Sequence, residues 1–150
     1  MTMFRKILVA VDGSATSQRA LDEAVKLAKT VSARLRLIHV MDELAWVNGF
    51  EPARAYFDDV LPRMRRAGEE LLARAMAQAL AAGVQAESEL VIGSAERICD
   101  QVAAEARRWP ADLVVVGTHG RRGTDRLLLG SDAEQIVRHS PVPVLLVRGG

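Results

Sequence analysis

Short apolar runs alternate along this chain with longer stretches in which apolar residues return every three or four positions. Lys6 to Val11, KILVAV, is an apolar run rich in β-branched residues and ended by Asp12-Gly13. A run apolar on both faces suits a central strand of a parallel sheet. Leu21, Ala24, Val25, Ala28 and Val31 then recur at helical spacing, with Arg19, Asp22, Lys26 and Lys29 between them. That pattern predicts an amphipathic helix. Arg34 to Val40, RLRLIHV, reads as a second strand, and its alternating start predicts an exposed face or a sheet edge. From Met41 to Phe57 no period holds, and Asn48-Gly49 and Pro52 mark turns. A helix is expected to begin near Asp58 or Asp59, with Pro62 in its first turn and Gly83 as its stop. Met64, Leu71, Leu72, Ala75 and Ala79 form its apolar stripe.

Val84 to Gly93 reads as a third strand, half-exposed at its start. Ile98, Cys99, Val102, Ala103 and Ala106 mark a third helix; Asp112 to Gly117 is the fourth and most apolar strand. A short helix is expected over Asp132 to His139, and a last strand over Val142 to Val147. Strands separated by helices predict an α/β, Rossmann-like single domain over residues 1–150. Its five-stranded parallel sheet takes the common order 3-2-1-4-5, with helices on both faces. Pro141 and Pro143 place the last strand at an edge. An edge as apolar as VLLV invites another chain, so a homodimer through Val142–Val147 is expected.

Composition narrows the class. Hydrophobic residues make up 49% and charged residues 26% of the 150, the balance of a globular protein. A net charge of +1 gives no field that argues for nucleic acid or an anionic membrane, so an anion site has to be local. Cys99 is the one cysteine, which excludes an internal disulfide and a multi-cysteine metal cluster. No segment approaches the roughly 20 apolar residues of a membrane span. The apolar run after Lys6 is too short for a secretory leader. A cytoplasmic protein is expected.

The local charge lies after the fourth strand, in GTHGRRGTDRLLLGS from Gly117 to Ser131. Gly117 and Gly120 would allow close approach of a ligand and a positive φ, or simply a tight turn. Arg121, Arg122 and Arg126 against Asp125 make the stretch basic. Gly130-Ser131 opens the last short helix, whose N–H groups suit a phosphate. Ser131 with Glu134 also spells an S-x-x-E capping box, which needs no ligand. Asp12 has two readings as well: a contact to ribose or to a metal, and a cap for the turn after the first strand. Ser14, Thr16 and Ser17 read as turn and cap residues. His119 is the one histidine placed near a ligand; His39 reads as packed near a strand end, and Cys99 as core. In doubly wound sheets ligands sit where the strand order reverses, here between the ends of strands one and four. There is no P-loop, no G-x-G-x-x-G and no G-x-S-x-G elbow. With no dedicated general base, no enzyme activity beyond a slow ATPase or nucleotidyl or phosphoryl transfer is expected.

Gly117-x-x-Gly120, nine residues, then Gly130-Ser131 resembles the nucleotide-binding signature of the universal stress protein family. KILVAVDGS and VRHSPVPVLLVR resemble the flanking segments of that family, and the likeness runs from Lys6 to Arg148 in order. The resemblance implies an ATP-binding regulatory protein of the stress response, dimeric through its last strand. Carried over by position, Ala10, Val11 and Asp12 would face the adenosine. The main chain of Val40 would meet adenine. Gly117, Gly120, Gly130 and Ser131 would surround ribose and phosphates, with His119 and Arg121 beside them. Asp12 would reach a metal only through nucleotide-bound Mg²⁺. The chain departs at Asp132, where the family usually has a small apolar or hydroxyl residue. A carboxylate there suits the helix dipole. It also repels a phosphate, by roughly 4 kcal/mol for unit charges about 4 Å apart at an effective dielectric of 20.

Overall fold

The structure is a computed structural model that describes residues 3–41, 56–93, 97–118 and 129–149. In chain order the elements are β1 (Lys6–Ala10), α1 (Ala15–Val31), β2 (Arg34–Met41), a π-helical turn (Tyr56–Val60), α2 (Leu61–Ala81) and β3 (Ala86–Ile92). They continue with α3 (Ile98–Arg108), β4 (Leu113–Gly117), α4 (Ser131–His139) and β5 (Val144–Val147). The strands form one sheet in the order β3-β2-β1-β4-β5, parallel throughout. Both the alternation of elements and the expected order are borne out.

Period decides which residues go to which face. Ile7 and Val9 of β1 join the cluster with α1 and α2, while Leu8 between them joins the cluster with α3 and α4. With both faces covered, Ile7 to Val9 of β1 and Leu113 to Val116 of β4 are apolar and buried on successive positions. Pro62 occupies the start of α2, where its missing N–H costs little. Gly83 ends that helix with φ 81°, a left-handed cap that glycine adopts without strain. Among the described residues no helix is long and apolar enough to cross a membrane.

One expectation holds only in part. The alternating RLR of β2 predicts an exposed face or an edge; Arg34 is exposed and Leu35 buried, yet β2 is no edge, since it lies between β1 and β3 and is paired on both sides. The alternation has another cause. Arg36, 13% exposed, reaches Glu87 at 3.0 Å and both Glu89 and Glu105 at 3.4 Å. An inward arginine is tolerated because three carboxylates meet it. The true edges are β3 and β5. They differ: β3 presents Glu87 and Glu89, while β5 presents Leu145, 39% exposed.

Candidate functional site

The strand order reverses between β1 and β4, so a crevice opens at their carboxyl ends. On the β1 side the backbone turns at Asp12-Gly13-Ser14. Asp12 Oδ1 accepts from the Ser14 N–H at 2.8 Å, and the Asp12 N–H donates to Ser17 Oγ at 2.9 Å. Gly13 takes φ 85°, a conformation that needs glycine here. Ser14 then caps α1, its Oγ accepting from the Ser17 N–H at 3.2 Å. The cap readings of Ser14 and Ser17 therefore hold. Asp12 has a structural duty in the turn, and its half-buried carboxylate remains at the crevice.

On the β4 side the sheet carries two carboxyl-end groups to the same level. The Thr118 N–H continues the ladder to Val147 O at 3.0 Å, and the Thr118 carbonyl accepts from the Gly130 N–H at 2.7 Å. That second bond brings the end of β4 and the start of α4 together. His119, Gly120 and Arg121 lie outside the described residues, as do Arg122 and Arg126. Gly117 is half-buried at the strand end, and its φ is not left-handed. The expected positive φ is thus absent there. A different constraint acts: a Cβ on Gly117 would lie 2.8 Å from the backbone carbon of Thr16 and 2.9 Å from its oxygen. The absent side chain lets β4 meet the first turn of α1 across the crevice.

The expected capping box at Ser131 does not form. Gly130 is the N-cap, at φ −61° and ψ 149°, with no side-chain cap, and Ser131 is already the first helical residue. Glu134 turns outward and accepts from Arg138 Nη2 at 3.0 Å instead. With Gly130 as the N-cap, Glu134 lies one residue past the capping-box position, and it pairs i,i+4 with Arg138. Two helix starts therefore flank the crevice, one capped by Ser14 and the other without a side-chain cap. Uncapped N–H groups at a helix start attract anions. Ser131 and Asp132 in that first turn are exposed.

The remaining assigned positions fall where the sheet places them. Ala10 and Val40 are half-buried at the ends of β1 and β2, and the Val11 side chain is in the core. His39 is buried, and its Nδ1 lies 2.8 Å from the Val11 carbonyl oxygen. Its packed position was legible; its bond to the crevice backbone was not, because β1 and β2 meet only in the folded sheet. Cys99 is buried on α3, and burial next to the Asp100 carboxylate pushes its thiol pKa up. Such a thiol is a poor nucleophile. Among the described residues no group of three or more His, Cys, Asp or Glu side chains could hold a metal ion.

The chain matches the universal stress protein family over residues 3–148. It is 34% identical to the universal stress protein YxiE of Bacillus subtilis, over 97% of this chain and all of that one. A crystal structure from the universal stress protein family of Burkholderia pseudomallei superimposes with a TM-score of 0.77 at 32% identity, covering 99% of both chains. A universal stress protein solved in complex with cAMP superimposes with a TM-score of 0.71 at 28% identity, covering 99% of this chain and all of that one. A likeness that spans the whole sheet, both crevice turns and the last strand leaves one assignment: the chain belongs to the universal stress protein family.

Proposed function

We propose that this protein is a regulatory module of the stress response that binds an adenine nucleotide, ATP in the first place, in the crevice between β1 and β4. The observation that carries the reading is the 2.7 Å bond from the Gly130 N–H to the Thr118 carbonyl. It sets the N-terminus of α4, which has no side-chain cap, beside the end of β4. Phosphates would lie against that N-terminus, ribose against Gly117 and Asp12, and adenine against the main chain of Val40. Mg²⁺, where present, would arrive on the phosphates and face Asp12. The complex of a 28% identical relative with cAMP supports an adenine ligand.

The protein acts in this reading as a dimeric, cytoplasmic binder rather than an enzyme. Two copies would join β5 to β5, since that edge carries Leu145 and lacks the carboxylates that guard β3. A groove of about 540 Å³ beside β5 is lined by Arg19 and Lys26 as well as Asp22 and Glu23 of α1. Charges of both signs suit a twofold contact, where one patch meets its own copy.

Asp132 favours a second reading, a nucleotide-free interaction scaffold, because its exposed carboxylate stands in the first turn of α4. Isothermal titration with Mg-ATP, ADP, AMP and cAMP separates the two. Saturable binding is expected; silence from all four at millimolar concentration sinks the nucleotide reading.

A further inference from the structure

The ladder between β1 and β2 stops at the pair Ala10–Ile38. One rung follows it, in which the Val11 N–H donates to Ile38 O at 2.8 Å. In a parallel pair the same residue next accepts from the strand opposite, so the donor due at the Val11 carbonyl is the Val40 N–H. Among the described residues no backbone hydrogen bond joins those two groups. His39 Nδ1 stands there instead, at 2.8 Å. A carbonyl only accepts, so Nδ1 carries the proton and the tautomer is set. The ring is braced from behind by α2, where a Cβ on Gly68 would lie 2.9 Å from its Cδ2.

The direction of the freed groups follows from the strand. Arg34 N–H bonds to Arg5 on the β1 side, and Leu35 N–H to Gln85 on the β3 side. That alternation, continued along an unbroken strand, turns the main chain of Val40 to the β1 side. There β1 has ended.

We propose that His39 is a positioning residue for the nucleotide base: by holding the Val11 carbonyl it withholds that acceptor from Val40 and leaves the Val40 main chain to pair with the base edge. This role rests on the nucleotide-binding reading above. It assigns base selectivity to a side chain that never touches the ligand.

Two variants separate the hydrogen bond from the packing. His39→Asn puts an amide nitrogen close to the position of Nδ1, whereas His39→Leu keeps bulk and removes the donor. Titration with ATP and GTP should show His39→Leu weakened for ATP by about tenfold, the equivalent of one hydrogen bond. Its preference for ATP over GTP should fall in step, and His39→Asn should restore both. Without ligand, amide exchange should show Val40 better protected in His39→Leu, as its N–H takes over the Val11 carbonyl. If His39→Leu does not fold, His39→Phe carries the same test, since it retains a ring without a donor. Wild-type selectivity retained in the folded donorless variant, or unchanged exchange at Val40, overturns the role of His39 alone. A wild type that binds no nucleotide, with exchange at Val40 altered as expected, overturns the nucleotide reading and the base-positioning role with it.

Discussion

The Gly130 N–H donates to the Thr118 carbonyl at 2.7 Å, so the chain leaves β4 and enters α4 through a single closed point. Every proposed phosphate contact depends on that closure. The helix start it delivers carries no side-chain cap.

Gly130→Asp tests whether the uncapped helix start is the anion site. The backbone of Gly130 is extended, with a negative φ that any residue adopts. A carboxylate at the N-cap takes the N–H groups itself and should raise stability by a few tenths of a kcal/mol. Nucleotide affinity should fall by at least about tenfold, since the same donors are then occupied and the charge opposes phosphate. A variant that is more stable in urea and binds ATP as before would falsify the assignment.

Gly117→Ala tests the contact across the crevice. The new methyl meets Thr16 backbone at 2.8 Å, and backbone cannot rotate away. Strain of this kind costs about 1–3 kcal/mol. Chemical denaturation should show that loss, with increased amide exchange at the Asp12-Ser14 turn. Wild-type stability would mean that β4 and α1 are not pressed together as described.

Asp132→Asn separates helix stability from ligand repulsion. The exposed carboxylate sits in the first turn of α4, and removing it should cost about 0.3–1 kcal/mol of dipole stabilisation. ATP affinity should rise about fivefold or more, matching the ~1 kcal/mol that two unit charges 4 Å apart exert even in water. AMP, with less charge, should gain less. Equal gains for ATP and AMP would place Asp132 away from the phosphates.

Leu145→Lys tests the proposed dimer edge. Leu145 is 39% exposed, so the fold of each copy should change by no more than about 0.5 kcal/mol. Light scattering at micromolar concentration should give a dimer for the wild type and a monomer for the variant. A wild type that is already monomeric refutes pairing through β5.

The sheet was legible because its information is local. After Lys6 and Asp112, ILVAV and LVVV are apolar at every position, and only a strand covered on both faces has use for that. The stripes of α1 and α2 repeat at helical period, and Gly83 marks the end of α2 by a backbone conformation few other residues adopt. The edge reading of β2 failed for a non-local reason. Its alternation comes from Arg36, whose partners Glu87, Glu89 and Glu105 lie on β3 and α3. No window along the chain contains them.

The candidate site divides in the same way. The sequence by itself determined the residue types at the crevice, the glycine spacing and the basic stretch, and the cap at Ser14, each read within its own short segment. Only the tertiary structure decided that Gly130 rather than Ser131 caps α4, with the Gly130 N–H held by the Thr118 carbonyl. The same holds for Gly117, whose missing side chain answers to Thr16, and for His39, whose ring finds the carbonyl of Val11. Hydrogen bonds and close contacts act over a few ångströms of space. Residues far apart in the chain come within that range only once the strands have paired.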